Sequence, residues 1–133
     1  MYLIDTNVLS ALRRPDRAPK VGDWLRSHPE EQLFLSVITI GEIERGIALQ
    51  ETRDPNFARD LRRWIDRTTL LFADRLLPFD AEEARVWGRL SARIGHYGAD
   101  LQIAATAIVH GAIVVTRNVS DFEPTGVETE NPF

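Results

Sequence analysis

Short apolar segments alternate with longer amphipathic segments along this chain, and this alternation constrains the fold more than any other feature. The segments Tyr2–Ile4, Leu33–Leu35 and Ile113–Val115 are typical of buried strands, and Arg75–Leu77 and Val127–Thr129 are further candidates. Apolar residues at helical spacing predict helices between them. Strands separated by helices predict βα units, so we expect one α/β domain over residues 1–133 with a parallel sheet.

Composition narrows the class of protein. The chain has no cysteine, which excludes disulfides and thiolate metal sites. No apolar run approaches the length of a membrane span, and no secretory pattern opens the chain, so we expect a cytoplasmic protein with no membrane partner. The net charge of −4 argues against a protein that coats nucleic acid indiscriminately, because such binding needs surplus positive charge.

The basic residues are almost all arginine, since Lys20 is the only lysine. They form clusters on predicted helices, and the ordinary interpretation is a solvated helix face with paired acids such as Asp60 and Glu83. The alternative is contact with phosphate or a protein partner, for which arginine is the better bidentate donor. The clusters are Arg13, Arg14 and Arg17, then Arg59, Arg62, Arg63 and Arg67, then Arg85, Arg89 and Arg93.

Three acids lie where predicted helices begin. Asp5 directly follows the first strand, and each of Asp5, Glu42 and Asp100 has a structural interpretation as a helix cap or first-turn charge. For Glu42 that interpretation is a capping box with Thr39. In a doubly wound sheet, however, all three segments can meet at one crevice. Carboxylates gathered there would hold a hard cation, with Mg²⁺ or Mn²⁺ preferred over zinc.

A fourth contributor is expected just after the strand Ile113–Val115. Asn118 could offer its amide carbonyl, and Asp121 lies one turn further along. Each also has an ordinary interpretation, Asn118 as a turn residue and Asp121 as a solvated loop acid. The histidines show no pairing with a nucleophile.

Four segments in order resemble the PIN-domain family, in particular VapC-type toxins of bacterial toxin–antitoxin pairs and their FitB-like branch. These are Leu3–Leu9, Leu35–Ile43, Ala99–Ala107 and Val115–Phe122. The resemblance covers essentially the full length and implies a three-layer, Rossmann-like α/β fold, with a central parallel sheet flanked by helices. It also implies an endoribonuclease site that uses one or two Mg²⁺ ions, with Mn²⁺ as a substitute.

Carried over by position, the family's acidic triad falls on Asp5, Glu42 and Asp100, as catalytic residues and metal ligands. The fourth acidic position falls at or near Asn118, where this chain has an amide, and Asp121 lies off the expected position. This difference leaves it open whether the site holds one metal ion or two. Thr6, Asn7 and Thr116 match polar positions of the same pocket, and Arg117 is the candidate for contact with RNA.

The resemblance also implies partners. Such toxins form homodimers and are silenced by a small DNA-binding antitoxin whose C-terminal segment enters the toxin groove, so that DNA is reached only through the antitoxin. The alternative function is a dimeric PIN-like regulatory module that supports antitoxin binding to DNA with little or no nuclease activity. A receiver domain is excluded because the only lysine, Lys20, comes far too early, and a haloacid-dehalogenase-type phosphatase is disfavoured because Asn7 stands where its second aspartate is needed.

Overall fold

A five-stranded parallel sheet forms the centre of the computed structural model, which describes all residues from Met1 to Phe133. The spatial order of the strands is β3-β2-β1-β4-β5. Tyr2 in the central strand β1 lies opposite Leu33 of β2 on one side and Ile113 of β4 on the other. The predicted parallel sheet is confirmed. The strands are β1 (Tyr2–Ile4), β2 (Leu33–Ser36), β3 (Leu76–Leu77), β4 (Ile113–Val115) and β5 (Thr129–Glu130).

Seven α-helices flank the sheet and complete the expected α/β fold. None of them combines the length and apolar character needed to cross a membrane. The chain builds outward from β1 in both directions, so the carboxyl ends of β1 and β4 mark the point where strand order reverses. Ligands of open α/β sheets bind at this point. The helices are α1 (Thr6–Ala11), α2 (Pro19–Arg26), α3 (Val37–Gln50), α4 (Pro55–Leu71), α5 (Ala81–Ile94), α6 (Ala99–His110) and α7 (Val119–Phe122).

Apolar residues cover both faces of the sheet because successive side chains of a strand point to opposite sides. Leu3 belongs to a cluster packed under α5 and α6, whereas Ile4 belongs to a second cluster that includes residues of α1, α3 and α4. Ala104 and Ala105 are fully buried and allow α6 to lie close to the strands. The two clusters hold the carboxyl ends of the strands in fixed positions relative to the helix starts.

Helix α3 begins directly at the end of β2, three residues before its predicted start. Ser36 is its N-cap, and its hydroxyl accepts a hydrogen bond from the backbone N–H of Ile38 at 3.0 Å. The predicted capping box of Thr39 and Glu42 is therefore wrong, because both residues lie inside the helix. Since Ser36 already caps α3, the carboxylate of Glu42 is available for contacts with other elements.

Candidate active site

Asp5 lies at the carboxyl end of the central strand and caps α1, as predicted. Its side chain is almost fully buried, and Oδ1 accepts a hydrogen bond from the backbone N–H of Thr6 at 2.8 Å. Oδ2 accepts bonds from the Thr116 hydroxyl at 2.7 Å and from the Asn7 amide at 3.2 Å. A buried carboxylate needs such donors, and three of them fix its orientation. The cap and the candidate site role therefore coexist in one residue.

Glu42 reaches the same edge of the sheet through Thr6. The Thr6 hydroxyl donates to Glu42 Oε1 at 2.6 Å and lies 3.1 Å from the hydroxyl of Thr39. Thr39 is fully buried and precedes Glu42 by almost one helical turn, so both side chains face α1. These contacts hold α3 against the first turn of α1. Glu42 forms them in place of the capping interaction predicted for it.

Asp100 lies in the first turn of α6 and is half-buried. It does not cap this helix, because the N-cap is Gly98, which has no side chain. Burial raises the pKa of Asp100 above its ordinary value, and the charges of Asp5 and Asp121 raise it further, while His96 acts in the opposite direction. The carboxylate therefore lies within electrostatic range of acids from two other segments.

The pKa of Asp5 is raised as well. Burial is the main cause, and the charge of Glu42 adds to it, whereas the hydrogen bonds from Thr116, Thr6 and Asn7 oppose the rise. The charge of Glu42 thus acts on Asp5, and the charge of Asp5 acts on Asp100. The three acids therefore lie within electrostatic range of one another near the carboxyl edge of the sheet, and we call this region the acidic pocket.

Asn118 and Asp121, the two candidates for a fourth contributor, differ in their surroundings. Asn118 is exposed, and its contact to the site is its backbone N–H, which donates to the Thr116 hydroxyl at 3.0 Å. Asp121 is also exposed, but its charge contributes to the raised pKa of Asp100. The acid of α7 therefore contributes to the electrostatic field of the pocket. Asn118 is the N-cap residue of α7, and its side chain forms no capping hydrogen bond.

Asn7, Thr116 and Arg117 connect α1 to the loop that follows β4. Besides its bond to Asp5, the Asn7 amide lies 3.3 Å from the Thr116 hydroxyl, and its carbonyl accepts a bond from the backbone N–H of Arg117 at 3.2 Å. The guanidinium of Arg117 points elsewhere and lies 3.9 Å from the ring centre of Phe133. Thr6, Asn7 and Thr116 are thus brought into the pocket, while Arg117 lines its margin.

The donor set can be compared with the needs of a metal ion. No three His, Cys, Asp or Glu side chains lie in an arrangement that already ligates a metal. The groups around the pocket are nevertheless carboxylate, hydroxyl and amide oxygens, which suit Mg²⁺ or Mn²⁺. Burial and mutual repulsion raise the pKa of Asp5 and Asp100, and a cation would relieve that repulsion. Donor type and charge therefore fit a hard cation, and the carboxylates would have to move closer together to bind it.

Two features of this edge were missed in the sequence. Thr39 was assigned to a cap, although a threonine three residues before Glu42 on an apolar helix could have indicated a shared face. The second is an open pocket beside Asn7, lined by arginines from the segment after α1 and from the loop after β4. Sequence spacing gives no signal that these arginines meet, because they come from segments about one hundred residues apart.

Comparison with known proteins agrees with this geometry. Residues 2–124 match the PIN domain family. The chain belongs to this family. The PIN domain described here is 37% identical over 146 residues to VapC ribonuclease Y4jK of Sinorhizobium fredii, which covers 100% of this chain and 98% of that protein. The predicted resemblance is confirmed.

Two further relatives come from the FitB group. Toxin FitB of Neisseria gonorrhoeae is 35% identical over 139 residues, with 100% of this chain and 99% of that protein covered. A chain in the solved structure of FitAB bound to an IR36 DNA fragment is 34% identical and superimposes with a TM-score of 0.79 over 99% of this PIN domain and 95% of that chain. The fold and the order of the elements are therefore shared along essentially the whole chain.

Proposed function

We propose that this PIN domain is a Mg²⁺-dependent endoribonuclease that hydrolyses RNA phosphodiester bonds and acts as the toxin of a toxin–antitoxin pair. The observation that carries the proposal is the convergence of Asp5, Glu42 and Asp100, with Asp121 nearby, at the switch point of the sheet. The names of two relatives, a VapC ribonuclease and a toxin, support the RNA substrate and the toxin role.

Asp5, Glu42 and Asp100 are the proposed ligands of the cation, and Asp121 is a further candidate. The chemistry supplied by a bound Mg²⁺ would be activation of water and neutralisation of charge on the phosphate. Three hydrogen bonds hold the Asp5 carboxylate in one orientation, and the Thr6 hydroxyl does the same for Glu42. Such fixed orientation lets charged groups act without rearrangement during the reaction.

Asp100 is the proposed acceptor of the proton from the attacking water. Of the three acids, it is the one whose side chain accepts no hydrogen bond from the chain, so its oxygens are free to contact a water molecule. It also lies in the first turn of α6 without serving as a cap, so no helix contact restrains its side chain. The chain thus offers two firmly held carboxylates and one with more freedom.

The proposed partners follow from the relatives. The name FitAB describes a complex, and that complex was solved on DNA. We propose that this chain forms a homodimer, that a small DNA-binding antitoxin silences it with a C-terminal segment in the groove, and that DNA is reached only through that antitoxin. Light scattering of the purified chain, alone and after co-expression with a candidate antitoxin, tests the dimer and the complex.

A cleavage assay with a matched pair of variants tests the enzyme. The purified chain is incubated with total bacterial RNA in Mg²⁺ or in EDTA, and new 5′ ends are mapped. The variant is Glu42→Gln, and the control is Glu44→Gln on the same helix, whose carboxylate instead pairs with Arg62 at 2.6 Å. We expect cuts at recurrent positions with Mg²⁺, their loss in EDTA and in Glu42→Gln, and their retention in Glu44→Gln.

Two outcomes of this assay would contradict the proposal. Equal RNA cleavage by Glu42→Gln and the wild-type chain would show that the acidic pocket takes no part in the reaction. Intact RNA after incubation with folded wild-type protein and Mg²⁺ or Mn²⁺ would favour the regulatory alternative, in which the PIN fold supports antitoxin binding to DNA.

A further inference from the structure

A strongly basic pocket adjoins the acidic one. Its volume is about 490 Å³, and four arginines line it, namely Arg13, Arg14, Arg17 and Arg117. We call this feature the arginine groove. Asn7 lines the groove and also donates a hydrogen bond to Asp5, so the groove begins where the candidate active site ends.

The arginines of the groove have no acidic partner within the groove. No acidic residue lines it, and none of its four arginines forms an ion pair, although the chain as a whole has a net charge of −4. Arg62 shows the contrast, since it pairs with Glu44 and Glu51. Unpaired guanidinium groups around one pocket repel each other, so their arrangement favours an anionic ligand.

Aromatic rings hold two of the guanidinium groups in place. Arg13 lies 4.9 Å from the ring centre of Phe57, and Arg117 lies 3.9 Å from that of Phe133, while both rings also line the groove. Burial lowers the pKa of Arg13, and the charges of Arg14 and Arg17 lower it further, while the charge of Asp60 in the neighbouring pocket acts in the opposite direction. Contacts with aromatic rings restrict such side chains and leave their N–H groups available to a ligand.

A neighbouring pocket differs in charge. It shares Arg13 and also contains Arg63 and Arg67, but Asp60 and Asp66 line it as well. Mixed charge of this kind agrees with the ordinary interpretation of a solvated helix face. The side chains that line the arginine groove have a formal charge of +4, whereas those of the neighbouring pocket sum to +1.

We propose that the arginine groove binds backbone phosphates of the RNA strand next to the phosphodiester that is cut. This inference rests on the proposed function. Arginine donates two parallel hydrogen bonds to a phosphate, and a positive groove with aromatic side chains is the common form of a single-strand binding track. Because the acids of the active site repel phosphate, a basic subsite beside them supplies the attraction that brings the strand to the pocket.

Binding of a single-stranded RNA oligonucleotide tests the groove. The measurement is fluorescence anisotropy in EDTA, in the Glu42→Gln background, so that the RNA stays intact. Arg14→Gln and Arg17→Gln are introduced together, because both side chains are exposed and make no contact that the fold needs. The control is Arg85→Gln with Arg89→Gln on α5, two exposed arginines outside the groove.

We expect the groove variant to raise the Kd by about tenfold and to reduce the slope of log Kd against log salt by about 1.4, because each phosphate contact on a single strand contributes about 0.7. The α5 control should leave both quantities unchanged. Equal affinity and slope in wild-type and groove variants would overturn the inference. So would unchanged RNA binding combined with weaker binding of an acidic peptide, since the groove would then serve a protein partner.

The two experiments distinguish failure of the proposed endoribonuclease function from failure of the proposed RNA-binding groove. Cleavage by the chain with native Glu42 reports on the endoribonuclease, whereas anisotropy in the cleavage-deficient background reports on the groove. Loss of RNA affinity in the groove variant supports the subsite even if the wild-type chain were to leave RNA intact.

Discussion

Replacing Thr116 by valine removes one hydroxyl from the network around Asp5 while it keeps the size and branching of the side chain. Thr116 is fully buried, and its hydroxyl donates to Asp5 at 2.7 Å and accepts from the backbone N–H of Asn118 at 3.0 Å. A hydrogen bond to a charged group contributes about 1.5–3 kcal/mol, so we expect the free energy of unfolding to fall by about 2 kcal/mol at pH 7. The melting temperature should fall by roughly 6–10 °C for a chain of this size.

The loss caused by Thr116→Val should depend on pH. Burial raises the pKa of Asp5, the Thr116 hydroxyl opposes that rise, and valine therefore raises the pKa further. A carboxyl whose pKa is higher in the folded chain favours folding when it is protonated; that contribution is complete below the unfolded pKa and is lost as pH rises through the folded pKa. The destabilisation should thus be greatest at neutral pH and shrink as the pH falls.

Urea titrations of both proteins from pH 7 to pH 4, in buffer free of divalent ions, measure this effect. Thr106→Val is the matched control, because Thr106 is also fully buried but its hydroxyl donates to the neutral backbone carbonyl of Gln102 at 2.9 Å. We expect a loss of about 1 kcal/mol in the control at every pH. Losses of equal size and without pH dependence in both variants would refute a charged Asp5 held by Thr116.

Four further substitutions test other features. Asp100→Asn should raise the melting temperature at pH 7 and abolish RNA cleavage, since burial and neighbouring acids raise the pKa of Asp100; the gain should vanish at acid pH, where the wild-type carboxyl is protonated. Arg75→Met should reduce the free energy of unfolding by about 2–4 kcal/mol in urea titrations, because the buried guanidinium donates to carbonyls including that of Leu33 at 2.9 Å. Gly111→Ala should lower the free energy of unfolding by about 1–2 kcal/mol, because the φ of +66° at the end of α6 strains any side chain. Gly88→Ala inside α5 should instead raise the free energy of unfolding by about 0.5–1 kcal/mol, because alanine favours a helix more than glycine does.

The sheet was predictable because its strands are buried and its helices are amphipathic, and both properties are periodic in the sequence. The segment Ile113–Val115 is an example, since it was predicted with the bounds that the structure has. The start of α3 was not predictable in the same way. Ser36 is both the last residue of β2 and the N-cap of α3, so no loop separates the two elements. The later Thr39 and Glu42 have the spacing of a capping box without forming one.

Asp5 and Asp100 could be selected from sequence because each stands at the start of a helix, and parallel strands bring such starts to one edge. Glu42 was selected for the same reason, but it lies inside α3 and reaches this edge through its contact with Thr6. The choice between Asn118 and Asp121 depended on the path of α7, which packs with α6 and is too short to have a periodic pattern. The arginine groove could not be predicted for a related reason, because charged side chains pair according to their distances in the folded chain. Glu83, one of the acids expected to pair with arginine, instead caps α5 and contacts His110.

The energetics of the acidic pocket bear on the choice between an enzyme and a regulatory module. Asp5 and Asp100 ionise against burial and against the charge of neighbouring acids, so their charged forms destabilise the chain in the absence of a counter-ion. Neutral side chains at these positions would preserve the fold and an interaction surface without that penalty. A cation in the proposed metal site would offset that penalty, and the adjoining arginine groove would attract the phosphate of the proposed substrate. The combination of an acidic pocket and an adjoining basic groove therefore favours hydrolysis of RNA over a purely regulatory role.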